Sequence, residues 1–95
     1  MIYYFPAYAS EMQIEVRLFA NLRRHLPPGN NGSKGTLDVA EGTQLQQVIE
    51  QLGIPPQLAQ LVMVDGVHEP NRARVLHDGC VISIFPPVAG GCFPR

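Results

Sequence analysis

Only one stretch of this chain has the spacing of a substantial amphipathic helix, and that shortage constrains the fold more than any other feature. In "EGTQLQQVIEQLGIPP", Leu45, Val48, Ile49 and Leu52 fall at i, i+3, i+4 and i+7, a single apolar stripe. Thr43 is a good N-cap, and Gln46 three residues later completes a capping-box pattern. Gly53 suits the position just past the C-cap, and Pro55 forbids continuation. One stripe cannot form a core with itself. Its counterpart must come from strands.

The strands are legible on both sides of it. "MQIEVRLFA" (Met12–Ala20) alternates, with Ile14, Val16 and Leu18 on one face and Gln13, Glu15, Arg17 and Phe19 on the other. "NLRRHLPPG" offers one or two helical turns, with Leu22 and Leu26 four apart, before Pro27-Pro28-Gly29 stops them. "GNNGSKG" is turn-forming throughout and reads as a mobile loop. "TLDVA" (Thr36–Ala40) is a second alternating strand with Leu37 and Val39 inward, paired with the first as a hairpin. After the helix, "PPQLAQL" adds a short turn. "LVMVDGV" (Leu61–Val67) reads as a strand closed by an Asp65-Gly66 turn. "HEPNRARVLHDG" is a long polar connection. "CVISIF" (Cys80–Phe85) is apolar and β-branched, the composition of a central strand covered on both faces. The order predicts an α+β domain: one mixed sheet of four to five strands packed on one main helix.

Composition places this plan in one domain. The chain has 95 residues, 45% of them apolar, a net charge of -1 and a pI of about 6.2. That balance gives no electrostatic footprint for nucleic acid or an anionic membrane. Arg23-Arg24 and Arg72-x-Arg74 read as solvated surface. No apolar run approaches the roughly 18 residues of a membrane span. "MIYYFPAYAS" has no basic flank, and Pro6 interrupts its short apolar run, so it does not read as a secretory signal. Residues 1–11 are expected to be a flexible appendage, 12–88 the domain, and 89–95 a flexible tail.

Candidate chemistry is sparse. Cys80 and Cys92 are the two cysteines. Bridging them requires the tail to double back, because their Cα atoms must come within about 7 Å. Free thiols and a cytoplasmic setting are the simpler expectation. His68, His77 and Cys80 lack the fourth ligand of a zinc site, so no metal is assigned. His25, beside Pro27, has no assigned role, and Cys80 reads as a packed residue. No nucleophile–base arrangement, carboxylate pair or phosphate loop stands out, so the chain is not expected to be an enzyme. What does stand out is the end: "FPPVAGGCFPR", with two glycines and then four more residues.

Taken in order, "VRLFANLRRHLPPG", "VAEGTQLQQVIEQLGIP", "VMVDGV" and "LHDGCVISIFPPVAGG" resemble the MoaD/ThiS family of ubiquitin-like sulfur carriers. The resemblance covers residues 12–91 and is closest to the small subunit of molybdopterin synthase. It implies a β-grasp fold. It also implies that an E1-like enzyme adenylates the carboxylate of Gly91 with ATP, that a sulfur donor converts it to a thiocarboxylate, and that an acceptor synthase resembling the molybdopterin synthase large subunit takes the sulfur. Gly90 and Ala89 would thread the partner's channel, where the absence of a glycine side chain allows close backbone approach. Phe85, Pro86, Pro87 and Val88 would dock partners. No cofactor would be stably bound. ATP would be consumed by the activating enzyme.

Two departures from the family pattern matter. Cys80 stands where the family commonly has the second Asp of Asp-Gly-Asp, which puts one surface contact in doubt. "CFPR" blocks Gly91, whose carboxylate is tied up in a peptide bond. Relatives with such extensions imply trimming at the Gly91–Cys92 junction by a JAMM-type metalloprotease, with residues 92–95 removed and Cys92 discarded. Delivery of the sulfur to molybdopterin or tungstopterin is the first expectation, and thiamine, cysteine or a specialised metabolite the next. A protein modifier joined through Gly91, and a β-grasp binding module that is never conjugated, are the rival classes.

Overall fold

The computed structural model describes residues 11–87. Five strands form one mixed sheet: β1 (Glu11–Leu18), β2 (Lys34–Ala40), β3 (Leu61–Val64), β4 (Val67–His68) and β5 (Val81–Phe85). The spatial order is β2-β1-β5-β3-β4. β1 and β5 run parallel, and the other neighbours are antiparallel. One α-helix, α1 (Leu45–Gln51), crosses between β2 and β3. Two 3-10 turns, Ala20–His25 and Pro56–Leu58, sit where the short helical turns were expected. This is the α+β plan of one sheet on one main helix.

Alternation dictates which face is buried. Ile14, Val16 and Leu18 of β1 and Ile82 and Ile84 of β5 are fully enclosed. Val62 and Val64 join them from β3, and Leu45, Val48 and Ile49 from α1. Among the described residues no helix packs on the other face. β5 is central, as its composition indicated, but among the described residues only one of its faces is covered by a helix. Val81, Ser83 and Phe85 remain half-buried on the open side. A single helix can cover only one layer of the sheet.

The helix ends show what the sequence could not. The N-cap is Gln44, one residue later than expected, and its backbone N–H donates to the Gln47 side chain at 2.8 Å. Thr43 instead donates its hydroxyl to the Ala40 carbonyl at 2.6 Å. The shift has a long-range cause. The Leu76 N–H donates to Thr43 O at 2.9 Å, and Gln44 forms a β-bridge with Val75. The N–H groups of Leu45 and Gln46 donate to the carbonyls of Arg74 and Arg72 at 2.9 and 2.8 Å. Donors that a helix start leaves without partners are thus satisfied by the polar connection after β4. At the other end Gly53, at φ 78°, closes a Schellman motif: Gly53 N–H donates to Glu50 O and Ile54 N–H to Ile49 O. His25, given no role from sequence, has Nδ1 3.2 Å from the Leu52 carbonyl, so a protonated Nδ1 supports this helix end.

The connection after β4 is anchored rather than merely solvated. Arg72 donates to the backbone carbonyls of Glu69 (3.1 Å) and Ala59 (2.8 Å). Arg74 pairs with the Glu69 carboxylate at 2.8 Å, which holds that carboxyl below its usual value. "GNNGSKG" is likewise organised by its own side chains. Asn31 Oδ1 accepts from the N–H groups of Ser33 and Lys34, and Lys34 and Gly35 already belong to β2. A Cβ at Gly35 would lie 3.0 Å from the Pro27 ring, so a larger residue here would press on that ring.

Asp65 and Gly66, at φ 53° and 82°, form the two-residue turn joining β3 to β4. Asp65 also clamps that turn to the start of β5. Its Oδ1 accepts the Val81 N–H at 2.9 Å, and its Oδ2 contacts His77 Nε2 at 2.8 Å. The other ring nitrogen of His77 lies 3.0 Å from the Asp78 carbonyl. A carboxylate and a carbonyl both accept, so the ring satisfies both only when each nitrogen carries a proton. Accordingly the Asp78 carbonyl, and then Asp65, raise the His77 pKa. The Val81 N–H is the main cause lowering that of Asp65.

Two predictions follow from these contacts. Ile49→Ala or Ile82→Ala should each cost on the order of 2–5 kcal/mol in chemical denaturation, through lost burial plus a cavity. For the clamp, a raised folded pKa means that His77 stabilises fully below its unfolded value of about 6.5 and stops doing so as pH rises through the folded value. Asp65, lowered, stabilises above about 3.9 and is lost as pH falls through its folded value. In proton NMR, His77 should titrate above about 6.5 and move down in Asp65→Asn. An unmoved midpoint would remove the clamp as the cause.

Candidate functional site

The candidate site is the place where β5 leaves the sheet. Parallel pairing with β1 and antiparallel pairing with β3 bring three segments to that edge: the end of β1, the start of β3 and the end of β5. Phe85 is held there in two ways. Its carbonyl accepts the Gln60 N–H at 3.0 Å. Its ring stacks on Phe19, with centroids 4.2 Å apart and planes 11° from parallel. Pro86 is half-buried and Pro87 exposed. Neither proline can donate a backbone hydrogen bond, so the sheet ladder stops where the chain turns outward.

Register defines the open face around this exit. Phe85 stands opposite Leu61, with Phe19 on its other side. The next row reads Lys34, Arg17, Ser83, Met63 and His68 across the strands. The row beyond contains Thr36, Glu15 and Val81. An apolar strip of Phe19, Phe85, Leu61 and Met63, all half-buried, therefore borders the exit. A polar flank lies beside it. Arg17 pairs with Glu15, and Arg17, Phe19, Ser33 and Lys34 line a shallow groove of about 300 Å³.

Of the docking residues expected from sequence, Phe85, Pro86 and Pro87 come together here. Val88, Ala89, Gly90, Gly91 and Cys92 lie outside the described residues, and so does the Gly91–Cys92 junction. Phe19, Leu61 and Met63 were missed as members of the face. Phe19 was visible only as the outward phase of β1. Its stacking on Phe85 depends on parallel register between segments more than sixty residues apart in sequence, which no local pattern encodes.

The remaining candidates separate. His77 is engaged by Asp65, while Cys80 is fully buried. Burial is the main cause raising the Cys80 thiol pKa, which disfavours the reactive thiolate. Its backbone N–H donates to His77 O, and its carbonyl accepts from Glu15 N–H. The position of the family's second Asp is therefore an interior one in this chain, as the reading of Cys80 as a packed residue expected. Among the described residues there is no group of three or more His, Cys, Asp or Glu able to hold a metal ion. No helix among them is long and apolar enough to cross a membrane. The geometry thus offers a presenting surface around a chain exit, with no preformed set of reacting groups in the described residues.

Similar proteins carry this fold. The chain matches the solution structure of the Haloferax volcanii HVO 2177 protein at 27% identity and TM-score 0.66, over 85% of this chain and 88% of that one. It matches the crystal structure of SAMP1 from Haloferax volcanii at 22% identity and TM-score 0.59, over 83% and 99%. It also matches a chain of the complex of subunits 1 and 2 of molybdopterin-converting factor from Helicobacter pylori 26695, at 23% identity and TM-score 0.53, over 81% and 96%. The last two likenesses speak to fold alone. A comparison with curated proteins found no match. A family model described as the ThiS family matches residues 16–91, from the middle of β1 through the exit to the second glycine. The chain belongs to the ThiS family, and its fold is the ubiquitin-like β-grasp.

Proposed function

We propose that this chain is a protein sulfur carrier whose working end is Gly91, reached after removal of residues 92–95. The observation that carries the reading is where the family match stops. It ends on Gly91, leaving Cys92, Phe93, Pro94 and Arg95 outside. The fold supports it: β5, central in the sheet and held at both ends, leads to an exposed Pro87, four positions in sequence before Gly91.

The chemistry proceeds in three steps, all performed by partners on this chain's end. A JAMM-type metalloprotease adds water across the Gly91–Cys92 peptide bond, freeing the Gly91 carboxylate and the Cys92 amine. An E1-like enzyme joins that carboxylate to AMP from ATP, releasing pyrophosphate and making the carbonyl carbon a good electrophile. The outer sulfur of a donor persulfide attacks that carbon and displaces AMP, giving an acyl disulfide, and a second thiol then attacks the donor's sulfur, leaving the Gly91 thiocarboxylate and a disulfide between the donor and that thiol. The chain itself is non-catalytic. It supplies docking through Phe85, Pro86, Pro87 and Val88, and threading through Ala89 and Gly90. The acceptor is a synthase resembling the molybdopterin synthase large subunit, and the first choice of product is the molybdopterin or tungstopterin cofactor. The string "IFPPVAGG", which resembles the molybdopterin branch of the family, is what favours that choice over thiamine or cysteine. The setting is cytoplasmic.

Intact mass decides between classes. Co-expressed with its protease, activating enzyme and sulfur donor, the chain should lose residues 92–95 and then gain the mass difference between sulfur and oxygen. Adducts on lysines of other proteins would favour a modifier instead, and an unchanged mass would sink both. A chain ending at Gly91 should support ATP–pyrophosphate exchange by the activating enzyme, whereas the full chain should not. Exchange with the full chain would refute the precursor reading.

A further inference from the structure

We infer that the groove beside the Phe19–Phe85 stack receives a carboxylate side chain of the docking partner, so that the activating enzyme presents an Asp or Glu next to apolar residues. The inference rests on the carrier reading and specifies its docking chemistry.

The observation is a charge conflict. Arg17 and Lys34 stand directly opposite each other as the last pair of the β1–β2 ladder. Like charges so placed destabilise a sheet. Glu15 offsets only one of them, through Arg17. Among the described residues Lys34 makes no ion pair. Both cations line the groove with Phe19 and Ser33, and Phe19 is the residue stacked on Phe85 at the chain exit. An uncompensated positive charge beside an apolar strip is completed by a surface that is apolar with a carboxylate at its rim.

Two other readings are weaker. Lys34 lies on β2, an edge strand, and an edge charge keeps strands of other copies from pairing. A charge of either sign would serve that purpose. Nucleic acid would need more cations, whereas the chain's net charge is -1 and Glu15 sits within the patch.

The test is Lys34→Glu in the chain ending at Gly91, assayed by ATP–pyrophosphate exchange with the E1-like enzyme of the same organism. The variant gains a cross-strand Arg17–Glu pair, so its thermal midpoint should rise. Its KM should nevertheless rise roughly five- to tenfold, with the difference shrinking as salt increases. Lys34→Arg, which keeps the charge, should stay close to the wild type. A more stable variant that docks less well cannot be explained by misfolding. An unchanged KM in Lys34→Glu overturns the acidic partner and leaves the carrier reading standing. No exchange with the wild-type chain sinks the carrier reading and this inference with it. Single-stranded RNA that binds the wild type but not Lys34→Glu would overturn it in favour of a nucleic-acid site.

Discussion

The parallel pairing of β5 beside β1 is the contact on which the rest of the structure depends. It brings residues from opposite ends of the chain into one register, with Leu18 opposite Ile84 and Glu15 opposite Val81. Without it the β1–β2 hairpin would be a lone two-stranded ribbon, too small to be stable, cut off from the β5-β3-β4 strands. With it, Ile14, Val16, Ile82 and Ile84 form one continuous floor for α1. A parallel pair also needs a long crossover, and the intervening chain supplies it with the only α-helix among the described residues.

β5 is then held from both ends by different means. At its start the Asp65 carboxylate takes the Val81 N–H and engages His77, a polar clamp in open water. At its end the Phe85 carbonyl takes the Gln60 N–H and its ring stacks on Phe19. The first contact responds to pH and the second does not. Acid or base should therefore loosen the hairpin turn before it disturbs the chain exit. The end of β5 is held by the apolar lock, which pH changes leave intact.

Much of this was legible in sequence because it was local. The stripe of Leu45, Val48 and Ile49, the alternation of β1 and the role of Gly53 were readable, since periodicity and capping act within a few residues. What failed to show was set by distance. Gln44, rather than Thr43, begins the helix because residues 75 and 76 pull on it from the far side of β3 and β4. Arg72 and Arg74 look like any exposed pair until Ala59 and Glu69 are brought to them. Cys80 was readable as a packed residue, but the contact that encloses it, the Asp78-Gly79 turn folding back onto Gln13, was not. The site divided along the same line. Phe85 and the prolines could be named from their motif, whereas Phe19, Leu61 and Met63 join them only through the sheet.

The distribution of sulfur chemistry bears on the proposed role. A carrier that presents a nucleophilic sulfur at its terminus is compromised by any second accessible thiol, which can intercept an activated acyl group by attacking its carbonyl carbon. Cys80 is withdrawn from that competition twice: it is fully buried, and its burial raises the thiol pKa so that little thiolate forms near neutral pH. Cys92 is the other cysteine, and it belongs to the segment that trimming at Gly91 would discard. If trimming precedes activation, as the peptide bond at Gly91 requires, the mature chain has no exposed thiol in its folded body when the adenylate forms. The order of the three proposed steps then does more than free a carboxylate. It removes the nearest competing nucleophile before an electrophile exists for it to attack.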